Sequence, residues 1–163
     1  IRDYQPSRGL GDVYKRHWLM YDNSVRVPLI IYDPRAKKHY DVDDMVANVD
    51  LATTILDFAG IKSNLKTHGM SLVPYVYDGI SKDKREELMI EHLWDFLPIP
   101  PSEGVRTEQW KYFRYKTINA PEELYNLKND PKELNNLASD KEYINILKKM
   151  RNKLDLKIAL YSK

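Results

Sequence analysis

The chain of 163 residues contains no cysteine. That removes disulfides, thiolate metal sites and thiol nucleophiles together, although it does not identify a redox compartment. Long apolar runs are missing too, and none approaches the roughly 20 residues of a membrane span. A surplus of one charge is absent: the net charge is +2 and the basic residues are dispersed among acids, which argues against a nucleic-acid partner. Ile1-Arg2-Asp3-Tyr4 has neither an initiator Met nor the apolar core of a signal peptide. The chain therefore reads as a piece of something longer or as a mature product. It has no internal repeat and no low-complexity segment. What remains is 42% hydrophobic and 31% charged, the balance of a globular protein. The length suffices for one core, or one domain with a small satellite.

The opening to Tyr14 is rich in Gly, Pro, Ser and charge and reads as loop. Val27–Tyr32 is an almost continuous apolar run ending at Asp33-Pro34, the pattern of a strand buried on both faces. Asp50 stands where a helix cap is expected, ahead of Leu51, Ile55 and Phe58/Ala59 on one face, with Gly60 as the stop. Gly69 to Asp78 predicts a further short helix with Ser71 as its cap. A strand followed closely by a capped helix is the grammar of a helix-covered sheet.

The texture changes after Gly79. Ser81–Glu87 is a polar run, Leu88-Met89-Ile90 a strand, and Pro98, Pro100 and Pro101 break regular structure. Gly104–Thr107 and Trp110–Tyr115 read as strands, the second alternating Trp110, Tyr112 and Arg114 against Lys111, Phe113 and Tyr115. Asn129-Asp130-Pro131 is a turn. Ser139 and Glu142 have capping-box spacing ahead of a long helix whose stripe is Tyr143, Leu147, Met150, Leu154, Ile158 and Tyr161. The expected fold is α/β: the edge of a helix-covered mixed sheet over residues 1–80, then over 81–163 a small α+β subdomain with a short antiparallel sheet and a long C-terminal helix.

Several phrases follow one another in a fixed order. They are Met20-Tyr21-Asp22-Asn23-Ser24, Arg26-Val27-Pro28-Leu29-Ile30-Ile31-Tyr32-Asp33-Pro34, Val49–Ile61, Gly69-Met70-Ser71-Leu72, Val105-Arg106-Thr107, Trp110-Lys111-Tyr112, Glu123–Leu127, and Asn129–Glu133 with Asn135–Ala138. Each is weak alone. The ordered series resembles the C-terminal portion of a type I, formylglycine-dependent sulfatase of the alkaline phosphatase superfamily, over nearly the whole chain. The resemblance implies a sulfuric ester hydrolase acting on a sulfated small molecule or oligosaccharide, with a carbohydrate sulfate as the expected substrate. It also implies that this chain needs the rest of a catalytic domain. A complete relative is expected to carry calcium and formylglycine, whereas no cofactor is assigned to this chain. Family analogy points to a periplasmic or secreted setting.

The nucleophile motif of such enzymes is Cys/Ser-x-Pro-x-Arg, and Tyr4-Gln5-Pro6-Ser7-Arg8 matches only its later positions. A phenol cannot become formylglycine, so this stretch reads as a coincidence in a loop. Counting back from Ser24 places His17 where relatives carry a sulfate-contacting Lys, with Lys15 a weaker candidate just ahead. A histidine can also donate to a sulfate oxygen and titrates near neutral pH; a half-exposed structural His is the alternative. His92, Trp94 and Arg106 flank the proline-rich loop, and their chemistry suits a sulfated sugar: an aromatic face for the ring and cations for charge. The bland alternative makes Arg106 a loop anchor and Trp94 a core residue. Asp33, His39, Asp41, Asp43 and Asp44 are spaced as a solvated loop, and no metal is assigned to them. Two other functions compete: a non-catalytic sulfated-glycan-binding or scaffold module derived from a sulfatase, and a phospho-transferring relative. The second would want a two-metal site rich in His and Asp, which four scattered His residues do not supply.

Overall fold

A computed structural model of the chain describes residues 19–62, 67–94, 100–116 and 120–161. Two compact units emerge. One is Pro28–Leu88; the other joins Met89 onward to the segment that ends at Val27. His17, Lys15 and the Tyr4–Arg8 motif lie outside the described residues.

In chain order the elements are helices α1 (Asp22–Val25), α2 (Val49–Phe58) and α3 (Val73–Asp78), and strands β1 (Glu87–His92), β2 (Ser102–Thr107), β3 (Trp110–Tyr115) and β4 (Glu123–Asn126). A 3-10 turn, Lys141–Tyr143, leads into helix α4 (Ile144–Tyr161). The four strands form one sheet in the order β1-β2-β3-β4. β2 and β3 pair antiparallel, with Val105 opposite Tyr112, and β3 pairs antiparallel with β4, with Tyr112 opposite Leu124. Thr107 closes the β2–β3 hairpin: its Oγ1 accepts from the Trp110 N–H at 2.9 Å and donates to the Trp110 carbonyl at 3.1 Å.

The period-two alternation read from β3 sorts its side chains onto two faces. Val105, Tyr112 and Leu124 pack against Leu147, Met150 and Leu154 of α4. The other face gathers Phe113, Tyr125 and Leu127 with Met20, and Tyr21 and Tyr115 pack beside them. The short antiparallel sheet and long C-terminal helix expected from sequence are both present. The start of α4 differs in detail. Asp140, not Ser139, caps the 3-10 turn that leads into it, accepting from the Glu142 N–H at 2.9 Å.

In the Pro28–Leu88 unit, two expectations are corrected. Val27–Tyr32 forms no strand among the described residues, and Ile30 is 89% exposed. A strand needs a neighbour for its backbone groups, and this unit offers none. The N-cap of helix α2 is Asn48, and Asp50 lies inside the first turn rather than at the cap. Asp50 is fully buried. It accepts from the N–H groups of Ala47 at 2.7 Å and Met70 at 2.9 Å, and takes both terminal nitrogens of Arg85 at 2.6 Å. One turn on, the Thr54 hydroxyl accepts from the Leu72 N–H at 3.0 Å. The buried face of α2 is thus polar and grips the Gly69–Leu72 phrase, while Leu51 and Ile55 face outward. Gly69 has to be glycine, since a Cβ there would sit 2.0 Å from the Val49 carbonyl oxygen.

Burial works against the Asp50 charge, yet Arg85 and the two amides outweigh it and hold its pKa below the ordinary 3.8. Its stabilising contribution is therefore complete above that value and lost as pH falls through the lower folded-state value. Arg85→Ala, which strands a buried carboxylate, should cost about 3 kcal/mol in a denaturant melt at neutral pH. It should also flatten the acid-induced loss of stability. A variant as stable as the parent, with the same acid slope, would contradict this assignment.

Candidate functional site in the sheet unit

The face of the sheet that carries Phe113 also carries Lys111, and only 1% of that lysine is exposed. Alternation along β3 points the side chain into an apolar layer, where a bare ammonium would be strongly penalised. Two carboxylates compensate it. Lys111 Nζ lies 2.8 Å from Asp22 Oδ1 and 2.8 Å from Glu133 Oε1. The second approach lacks hydrogen-bond geometry and is an ionic contact.

Asp22 also receives Arg106, through Nε at 3.3 Å and Nη2 at 3.1 Å. Glu133 Oε2 in turn accepts the Asp22 backbone N–H at 2.5 Å. Two cations and two anions thus close a neutral cluster joining α1, β2, β3 and the turn after β4. Glu133 is held at φ 55, a left-handed conformation costly for a residue with a Cβ. Asp130 braces that turn by accepting from the N–H groups of Leu134 and Asn135, each at 2.8 Å. Desolvation would raise the Asp22 pKa, but the hydrogen bonds from Arg106 and Lys111 prevail and keep it below the usual carboxylate range.

A second carboxylate anchors the neighbouring residue. Glu123 accepts from the phenols of Tyr21 at 2.9 Å, Tyr115 at 3.0 Å and Tyr125 at 2.5 Å. Burial first, and then the Glu123 charge, push the Tyr21 and Tyr125 phenols well above their ordinary pKa. They remain protonated donors. Tyr21 and Asp22 are thereby pinned to the sheet, side by side, by separate acceptor and donor sets.

The residues nominated from sequence are distributed as follows. His92 ends β1, half-buried, and Arg106 lies on β2, the adjacent strand. Trp94 follows two residues after His92 and is 74% exposed, so it fills no core. Arg106 spends Nε and Nη2 on Asp22. Sequence reasoning missed Lys111, Asp22 and Glu133 as partners. A signal existed: Lys111 falls on the same alternating face of Trp110–Tyr115 as Phe113 and Tyr115, and two motif phrases carry an acid, Asp22 within one and Glu133 at the end of another. Among the described residues no group of three or more His, Asp or Glu is arranged to hold a metal, so no chemical step is assigned to calcium here. No helix of the described residues is long and apolar enough to cross a membrane.

Comparison with known proteins identifies the family of the chain. Residues 11–159 match the family described as N-sulphoglucosamine sulphohydrolase, C-terminal. Arylsulfatase K of Danio rerio is 32% identical over 115 residues, 66% of this chain and 21% of the relative. N-acetylglucosamine-6-O-sulfatase of Bacteroides thetaiotaomicron is 30% identical over 118 residues, 67% of this chain and 20% of the relative. The chain thus spans about a fifth of the length of these curated relatives. Among solved structures, BT4656 in complex with its substrate D-glucosamine-2-N,6-O-disulfate superposes with a TM-score of 0.75 at 27% identity, over 88% of this chain and 30% of that one. BT1596, a 2-O GAG sulfatase, gives 0.61 at 34% identity, over 68% and 24%.

Lys111→Met leaves Asp22 and Glu133 facing each other without their shared cation. The expected loss is about 3 kcal/mol at neutral pH, narrowing in acid as Asp22 protonates. Denaturant melts at two pH values measure it, and a loss below about 1 kcal/mol would show that Lys111 is not the organising charge.

Proposed function

Because this chain belongs to the sulfatase family, as a C-terminal domain of the N-sulphoglucosamine sulphohydrolase type, we propose that it serves an enzyme that hydrolyses sulfate esters on carbohydrates, with a sulfated amino sugar as substrate. The observation that carries this reading is the family match over residues 11–159 together with the superposition on a sulfatase bound to a disulfated glucosamine. Sulfate-ester hydrolysis requires a nucleophile, neutralisation of the sulfate oxygens and an acid for the leaving oxygen. In this proposal the formylglycine nucleophile and calcium come from the remainder of the enzyme. Calcium favours hard oxygen ligands, and formylglycine supplies the covalent chemistry.

The role assigned to the sheet unit is recognition. Trp94 offers an exposed aromatic face to a sugar ring, and His92 a polar group two residues away. Arg106, oriented by Asp22, keeps Nη1 as its remaining donor edge. His17, with Lys15 close by, takes the position of the sulfate-contacting lysine. The chain by itself is catalytically silent in this reading.

Isothermal titration of the chain with D-glucosamine-2-N,6-O-disulfate and with unsulfated glucosamine tests the proposal. The sulfated sugar should bind selectively, and His92→Ala and Trp94→Ala should each weaken binding about tenfold, equivalent to about 1.4 kcal/mol, at unchanged melting temperature. No sulfate should be released. Equal binding of the two sugars, or variants that bind like the parent, would contradict the recognition role; sulfate release by the chain alone would contradict the division of labour.

A further inference from the structure

The bases of this chain are dispersed overall, but not in α4. That helix carries Lys148, Lys149, Arg151, Lys153 and Lys157 against one acid, Asp155, which makes it +4 in a chain whose net charge is +2. The rest of the chain is therefore acidic on balance. Two of the helix charges are settled within the unit. Arg151 Nε donates to Glu122 at 2.8 Å, and Asp155 accepts from Arg114 Nη2 at 2.8 Å. What is left is a set of lysines with no acid of their own helix to meet. Lys148 and Lys149 are exposed, and no ion pair reaches either among the described residues. Lys153 and Lys157 are half-buried.

Ordinary helix chemistry does not account for this set. A solvated helix gains from acids placed four residues before its lysines, and loses where two lysines stand four apart. Here Lys149, Lys153 and Lys157 repeat at the losing spacing. Cations also favour the last turn of a helix, where they meet the negative end of its dipole, yet the last turn of α4 has no basic residue. Nor does the helix lack an apolar neighbour. Leu147, Met150 and Leu154 are buried against Val105, Tyr112 and Leu124 of the same unit, so the lysines lie outward because the core beneath them is filled. An anionic partner along the row relieves its self-repulsion.

The row is extended. From Lys149 to Lys157 the helix rises about 12 Å, so a single sulfate meets only part of it, whereas a chain with anions along its length meets it all. An anionic lipid surface fits less well. It takes up a helix by its apolar face, and here that face lies on the sheet, with Leu156 and Leu160 left exposed. We propose that Lys149, Lys153 and Lys157 of α4, with Lys148 beside them, form an exosite for a sulfated polysaccharide, so that the substrate is a polymer held along the helix as well as at its reacting sugar. The choice of a sulfated carbohydrate rests on the proposed function; the polyanionic character of the ligand rests on α4 alone.

Isothermal titration of the whole chain tests it, with a heparin hexasaccharide, its desulfated counterpart, polyglutamate and phosphatidylserine vesicles in separate arms. The sulfated hexasaccharide should bind, more weakly as salt rises, and the desulfated one at least tenfold less. Lys149→Glu should weaken binding at least tenfold and, by placing an acid four residues ahead of Lys153, raise the melting temperature. Lys149→Arg should bind like the parent, and so should Lys82→Gln, at an exposed lysine of the other unit. A fall in melting temperature alongside the loss in Lys149→Glu would make Lys149 structural and overturn the site, as would an equal loss in Lys82→Gln. Polyglutamate binding as tight as that of the hexasaccharide would overturn the choice of carbohydrate. Tighter binding to vesicles, lost in Leu156→Gln, would overturn it in favour of a membrane contact. Hexasaccharide binding that depends on His92 and Trp94 but not on Lys149 would overturn the exosite and leave the proposed function standing. Binding that depends on Lys149, with none of D-glucosamine-2-N,6-O-disulfate, would support the exosite and overturn the recognition role of His92 and Trp94.

Discussion

A lysine ammonium with no exposure to water has to be matched by negative charge, and that requirement organises the sheet unit. Lys111 can occupy its place in an aromatic layer only when Asp22 and Glu133 both reach it. Asp22 arrives from a segment nearly ninety residues earlier and Glu133 from the turn beyond β4. Removing one partner of such a cluster is expensive because the others remain buried and charged. The cluster therefore acts as a constraint on topology, since it is satisfied in one arrangement of three distant phrases. The strained backbone at Glu133 is consistent with this, because a left-handed glutamate persists only where its side chain is needed.

The same logic recurs at a smaller scale. Asp50 gathers Ala47, Met70 and Arg85, Glu123 gathers three tyrosines, and Asp33 gathers Arg35 and Tyr77. Each carboxylate lies within or beside a phrase that carries the family resemblance. A buried acid tolerates few changes in its donors, whereas an apolar contact tolerates many.

Period-two and period-3.6 patterns in the second half were legible, and β3, α4 and the faces they bury follow them. Burial there is between elements of this one chain, so the pattern and the partner coincide. The first half was less legible for the same physical reason. The apolar run Val27–Tyr32 and the outward residues Leu51 and Ile55 state a preference for burial, but sequence periodicity does not say which surface receives them. Polar burial was hidden as well. Asp50 looks like a cap from its position, and only the bidentate Arg85, thirty-five residues away, reveals a buried ion pair. At the candidate site, His92, Trp94 and Arg106 were nominated by residue type and context. The charges gathered around Arg106, namely Asp22, Lys111 and Glu133, were not, because long-range charge pairing leaves no periodic trace.

The central claim is that Asp22, Arg106, Lys111 and Glu133 behave as one cooperative unit. A double-mutant cycle between Asp22→Ala and Lys111→Met, read by denaturant melts at neutral pH, addresses it most directly. Cooperative burial predicts that the double variant is more stable than the sum of the single losses implies, by about 2 kcal/mol. Additivity to within about 0.5 kcal/mol would mean that the two charges are independent and that some other interaction fixes the segment to the sheet.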